Sequence, residues 1–491
     1  MNLRNWAALA AGIVLCGSAW AQNSAIVELC TMPSGTEAAI CSADGRHVAL
    51  LVKSDATESV FIDGQKGEQF SRVYAKTLRL SPDGAHCCYP ASKNGTWIMV
   101  SDGHDGAPYD DILQGTPVLS AKDGHVAYGA QKDGKWFMIV DGKQSTAYDG
   151  IEGTVVRFNA DCTRLAYAAK RNGKWFTVID GKESAPVDAV ELGTPIFSAD
   201  GKHVVYGVQR GDDWFVSADG VETPAHKGIL QGTPMISENG GHVAYGTLLA
   251  DGKGAVVVDG QEGPEFADLN LGTLRVTEQH VVYTAKDGEN WFLINDGHKS
   301  PTFGPVAGNI LAISADGRHI AYGAASADKW TMVFDGKQGP RYDELGLGPP
   351  QLSADGHTLV YGARSELAWL VVNNGKEGPE YSALLDGTPL LNAGGDRVAY
   401  GAKKGNQWVV VVDGQESEPA DGIGDKGIFF SADGKHVAYA YAKGQPWYVV
   451  LDKQKPVSTD MLICMPAFAA DDSLQYIGVN GGKLCRMTLT P

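Results

Sequence analysis

Past its first 21 residues the sequence has no apolar run approaching the ~18 residues that a membrane-spanning helix requires. It has no basic excess either: 41 Lys and Arg stand against 58 Asp and Glu, a formal net charge of -17. Such a surface repels a phosphate backbone and excludes nucleic acid as an expected partner. The spacings His-Glu-x-x-His and Cys-x-x-Cys and the calcium-loop pattern are missing, so neither a metal nor another cofactor is expected. Charged residues make up 20% and hydrophobic ones 43%, which is too apolar for a disordered chain and enough for a large core. What is abundant is glycine, 62 of 491 residues against a usual ~7%. That content favours many turns over long helices.

Residues 1–21 read as a signal peptide. Arg4 precedes an apolar stretch through Ala8, Ile13, Val14 and Leu15, and Ala19-Trp20-Ala21 has the small-x-small pattern of a cleavage site. Cleavage after Ala21 and release into the periplasm or outside the cell are expected. Loss of Arg4 then leaves 40 basic against 58 acidic residues. A lipid anchor on Cys16 is the lesser alternative, because Leu15 stands where a small residue is needed.

The rest of the chain is one unit repeated about twelve times. Tyrosines fall at 89, 128, 167, 206, 245, 283, 322, 361, 400, 439 and 476, mostly 39 apart, as from 128 to 167. Nine tryptophans keep the same register: 97, 136, 175, 214, 291, 330, 369, 408 and 447. In the copy running from Gly193 to Gln231, four short apolar segments are separated by turn residues. Rich in Val, Ile, Phe, Tyr and Trp, they predict strands. Asp141-Gly142, Asp180-Gly181, Asp335-Gly336 and Asp413-Gly414 sit where a two-residue hairpin needs positive φ. Trp136 to Val140 is apolar at every position, as a strand buried on both faces must be.

A four-stranded sheet covered on both faces by copies of itself is a propeller blade, and a period near 40 fits that class. The expected fold is therefore all-β: tandem β-propellers built from about twelve four-stranded blades. Because closed rings usually hold four to eight blades, two six-bladed rings are expected, residues 22–271 and 272–491, with seven plus five as the alternative. The last copy stops after its third strand, while an orphan strand-like segment, 23–30, precedes the first. One chain end is expected to complete the other.

Ser-Pro-Asp-Gly at 81–84 and Ser-Ala-Asp-Gly at 42–45, 198–201, 314–317, 353–356 and 431–434 resemble the repeat of TolB-type, WD-like bacterial propellers. The resemblance covers nearly the whole chain after residue 21. It implies a structural repeat without a family-wide active site, in proteins that range from envelope scaffolds to the propeller halves of peptidases. The extra N-terminal α/β domain of TolB and the hydrolase domain of the peptidases are both missing here.

Eight of the twelve histidines (47, 86, 125, 203, 242, 280, 319 and 436) stand three residues before the tyrosine position. One per blade places them too far apart to share an ion at ~2 Å, so they are expected to be structural. The recurrent Ser and Asp of the turns are likewise read as turn bonds rather than a nucleophile and its acid. Tyr-Asp pairs at 109–110, 148–149 and 342–343 read as anchors between blades, with sugar stacking as the sharper alternative. Residues that escape the repeat are better functional candidates. They precede each first strand, and the polar ones, Gln114, Glu152, Gln231, Asp386 and Asp425, form a candidate binding rim. Basic loops between second and third strands, such as Lys135, Arg171, Lys174 and Lys404, are expected to neutralise that rim.

The pattern predicts a non-enzymatic, monomeric binding or scaffold protein of the bacterial cell envelope, holding an envelope protein or a polysaccharide. The alternatives are a glycan-active hydrolase or lyase using Glu152 and Asp386 as acid and base, and a structural surface-layer component. Seven cysteines follow the leader. Cys30 and Cys485 are the expected disulfide, closing the chain ends, and Cys41 with Cys464 is the second candidate.

Overall fold

A computed structural model describes residues 24–249, 251–301, 306–314, 317–326, 328–346 and 348–491, apart from the side chains of 306–309, 326 and 425. The expected leader and its cleavage site lie outside the described residues. The chain is all-β, twelve antiparallel propeller blades with only two short 3-10 turns, Ala75–Thr77 and Gly153–Val155, among the described residues. None of its described helices is long and apolar enough to cross a membrane.

Blade 3 shows how the repeat folds. Its second strand, Val126–Lys132, pairs with the third, Lys135–Val140, and the third pairs with a short fourth, Lys143–Gln144. The turn between the last two is Asp141-Gly142 with φ of 47° and 77°, so both residues take the left-handed region that an antiparallel two-residue hairpin favours. Asp is tolerated there because its carboxylate accepts from the Val126 N–H at 3.0 Å and meets His125 Nδ1 at 2.7 Å. The third strand buries both faces: Met138 packs with Tyr167 of blade 4, and Ile139 with Cys88 and Met99 of blade 2.

Blade 12 is assembled from both chain ends. Strand Ser24–Thr31 pairs antiparallel with Lys483–Leu489, and Leu484, Ile477 and Val479 pack on Val48, Leu50 and Val52 of blade 1. The expected Cys30 and Cys485 disulfide is corrected here. A bulge between Glu28 and Cys30 sets Cys30 opposite Leu484 and Glu28 opposite Cys485. A one-residue offset turns the two thiols to opposite faces of the sheet, and both are free. The bond forms instead between Cys41 and Cys464, whose Cα atoms are 5.9 Å apart.

By their internal packing the described residues divide into two compact units, 24–195 with 445–491, and 196–444. In the first, blade 12 packs on blade 1, and blades 1 to 4 follow in succession through shared apolar clusters. In the second, Phe266 and Ala244 of blade 6 share a cluster with Leu274 and Tyr283 of blade 7. Residues 271 and 272 lie in one strand of that unit, Asp268–Val276.

Candidate functional site

The first strand of most blades is broken in the middle, and the break creates the most variable exposed surface of the repeat. In blade 3, Asp111–Ile112 pairs with Ala130 and Gln131, while Val118–Leu119 pairs with Val126 and Ala127. Between them runs Leu113-Gln114-Gly115-Thr116-Pro117. The buried Thr116 hydroxyl donates to the Leu113 carbonyl at 2.7 Å and accepts from the Gly129 N–H at 3.3 Å. A side chain thus supplies the bond that a ladder neighbour would have made. Leu113 lies over Gly129, where a Cβ would come within 2.7 Å of it, and the next residue is pushed outward. Thr233 in blade 6 repeats both bonds, and Thr388 in blade 10 repeats the first.

Gln114, Gln231 and Asp386 are exposed at the tips of these turns. They do not precede the first strand, as the sequence pattern predicts, but lie between its two halves. The turns of neighbouring blades meet within each unit: a Cβ on Gly115 would come 2.9 Å from the Gly153 carbonyl, and one on Gly348 would lie 3.5 Å from Gly387. Gln114 and Glu152 are therefore on adjoining turns of the first unit. Gln231 and Asp386 belong to the second, and the side chain of Asp425 is outside the described set. The Glu152 carboxylate accepts from the Thr154 hydroxyl at 2.9 Å and bonds its own turn.

One residue that the pattern missed is Glu191. It occupies the place of Leu113, Leu230 and Leu385, half-buried, and burial raises its carboxyl above the ordinary value. Beside it Leu192 is 68% exposed. An alignment of the copies shows the Leu-to-Glu change; the burial that gives it meaning is tertiary.

The remaining repeated ionisable groups have structural partners. The histidine Nδ1 meets the hairpin Asp in blade after blade, as in His47 to Asp63 at 2.6 Å and His203 to Asp219 at 2.6 Å. On five of these rings lies the turn glycine of the next blade: a Cβ on Gly84 would come within 2.4 Å of His47, and one on Gly356 within 2.1 Å of His319. The basic loops are not neutralised by the first-strand turns. Lys135 pairs with Asp149 at 2.6 Å, Arg171 with Glu183 at 2.6 Å, Lys404 with Glu416 at 3.1 Å and Lys174 with Asp188. The tyrosines of the Tyr-Asp pairs are buried and edge-on to the next blade, Tyr109 to Tyr128 and Tyr148 to Tyr167. No cluster of three or more His, Cys, Asp or Glu among the described residues is placed to hold a metal.

Among the described residues, cavities open between consecutive blades: about 590 Å³ between blades 3 and 4, about 330 Å³ between 6 and 7, and about 610 Å³ between 9 and 10. The last is polar, lined by Glu366, Glu380, Lys403 and Lys404. The first two lie at the histidine end of the blades, beside His125 and His242.

No protein-family model matches this chain, and no curated protein matches it in sequence. Among solved structures it is similar to TolB from Acinetobacter baumannii, at 13% identity over 60% of this chain and 85% of that one, with a TM-score of 0.24. It is similar to the Dos1 propeller at 12% identity over 70% and 92%, TM-score 0.28, and to a eukaryotic initiation factor at 12% over 73% and 96%, TM-score 0.34. Likeness at this level carries no argument about activity.

Proposed function

We propose that the chain is an exported, non-enzymatic propeller that acts as a binding or scaffold protein of the bacterial cell envelope, holding an envelope protein or a polysaccharide on its first-strand turns. One contrast carries the reading. The repeated His, Asp, Lys and Glu are engaged in bonds that build or join blades, whereas Gln114, Leu192, Gln231 and Asp386 differ from copy to copy and stand exposed on turns built alike. The acidic surface, the leader-like N-terminus and the TolB-type repeat support the compartment.

The test is affinity capture from envelope extracts, beside a glycan array, with the wild-type chain and with Gln114, Gln231 and Asp386 together changed to Ala. The variant is expected to keep its melting temperature and lose the captured partner or glycan; retention of both by the variant would overturn the reading. N-terminal sequencing of the mature protein should begin at Gln22. A glycan-active enzyme is the second reading, favoured by the raised carboxyl of Glu191 on the same surface. Turnover of an array glycan that Glu191→Gln abolishes would establish it instead.

A further inference from the structure

We propose that the cavity between blades 3 and 4 is a binding site for a small organic cation, an amine carried on a ring-sized apolar body. It is separate from the first-strand turns and does not depend on the reading given to them.

The cavity lies where a residue departs from the repeat. In five other blades the turn after the first strand places a glycine at positive φ directly on the histidine of the preceding blade. A Cβ would meet His47 at 2.4 Å from Gly84, His203 at 2.2 Å from Gly240, His280 at 2.5 Å from Gly317 and His319 at 2.1 Å from Gly356. Real Cβ atoms do not approach that closely, so any other residue must separate the blades or displace the ring. In blade 4 that position is Cys162, still at φ 62° and still bonding the Asn159 carbonyl from its N–H at 3.0 Å. The backbone of the turn is kept and His125 still bonds Asp141, while the side chain of Cys162 prevents the close approach of turn and ring that glycine allows. Cys162 Sγ instead accepts from the Ala121 N–H of blade 3 at 3.3 Å, and His125 and Cys162 both line an opening of about 590 Å³.

That volume lies within the ~300–1,000 Å³ of small-molecule sites, and its walls have the usual character of one. The floor is apolar: Met138, Val140, Phe158, Leu165 and Tyr167. The rim carries four carboxylates, Asp123, Asp141, Asp161 and Asp180, against two permanent cations, Arg164 and Lys143. Arg164 is held by Asp180 at 3.0 Å, and Asp141 by His125. Asp161 accepts from the Thr163 hydroxyl at 2.6 Å and N–H at 3.1 Å, which lowers its carboxyl and keeps it ionised. The surplus negative charge over an apolar floor selects a cation with a hydrophobic body over an anion of the same shape.

The experiment is calorimetric titration of the full chain with benzylammonium and, in parallel, with phenylacetate. Benzylammonium is expected to bind at least about tenfold more tightly than phenylacetate. Cys162→Gly restores the glycine of the repeat at a positive φ that glycine prefers, lets the turn close on His125 as it does on the other histidines, and is expected to weaken benzylammonium at least about tenfold with no loss of melting temperature. Asp123→Lys, on the exposed rim, should weaken benzylammonium and strengthen phenylacetate, and it carries the test should Cys162→Gly not fold. Equal affinity for the two probes, binding of neither, or wild-type affinity in both variants would overturn the proposal.

Discussion

Blades 3 and 12 are built on the same four-strand plan from chain segments of very different separation. Blade 3 takes everything from residues 111–144, each strand a hairpin away from the next. Blade 12 takes three strands from 461–489 and the fourth from Ser24–Thr31. Local hairpins order a short stretch of chain at a time; the closing pair must restrict a loop of more than four hundred residues before any contact forms. The difference shows in how each is held. Blade 3 relies on turn chemistry, packing and local ion pairs such as Lys135 to Asp149, whereas blade 12 joins distant segments by the Lys483 to Glu28 ion pair at 2.8 Å, the Arg486 to Asp63 pair at 3.2 Å and the Cys41 to Cys464 bond across a separation of 423 residues. Non-local strands receive the cross-links because their entropy cost is greatest.

Three experiments sharpen that comparison. Deleting residues 24–31 leaves Lys483–Leu489 as an unpaired edge and uncovers Leu484, which packs on blade 1. The expected result is a drop of more than about 10 °C in the melting of the first unit, with self-association through the bare edge, followed by calorimetry and light scattering. A melting curve unchanged by the deletion would mean that closure contributes nothing.

Cys41→Ala comes next. In the chain-entropy picture the loss of so long a cross-link costs up to about 5 kcal/mol, less if the denatured chain keeps structure. Melting with and without reductant should separate the wild type from the variant: reductant lowers the wild type to the level of Cys41→Ala and leaves the variant unmoved. Peptide mapping should find Cys30 and Cys485 alkylated without reduction, and a Cys30 to Cys485 cross-link in the secreted protein would contradict the register of the bulge.

The smallest effect is a pH dependence within the internal blades. The bond to Asp259 raises His242 above its ordinary value, so its contribution is complete below about pH 6.5 and is lost as the pH rises through the folded-state value. Burial lowers His226, which meets the Tyr245 hydroxyl at 2.7 Å where other copies place a tyrosine. Its contribution is present above about pH 6.5 and is lost as the pH falls through the folded-state value. Melting temperatures between pH 5 and 8 should therefore tilt in opposite directions when His242→Gln and His226→Tyr are each compared with the wild type. Parallel profiles would remove the assigned causes.

The strands and hairpins were legible from the sequence because their determinants are local. A period set by Tyr and Trp, an all-apolar third strand and Asp-Gly turns each act within a few residues, and blade 3 folds as they require. The break in the first strand was not legible, because it depends on the Thr116 hydroxyl reaching Gly129 across the sheet and on Leu113 filling the space above it. The candidate rim is legible as a set of positions, but not its place inside the break. Glu191 was passed over because burial, not residue type, sets it apart. Which acids the lysines meet is not legible, because charge counting does not say which segments lie side by side.

By itself the sequence determined the class of fold, the number of copies and the turn type, all properties of a repeated unit of about 39 residues read along the chain. The tertiary structure alone decided which cysteines meet, since a single bulge between Glu28 and Cys30 exchanges the faces of a strand. It alone decided why the turn glycine recurs, since the histidine that forbids a Cβ belongs to the neighbouring blade. And it alone decided that Cys162, which stands where other copies have the turn glycine, lines a cavity with His125 of the neighbouring blade, because close packing between blades leaves no room for a side chain there without separation.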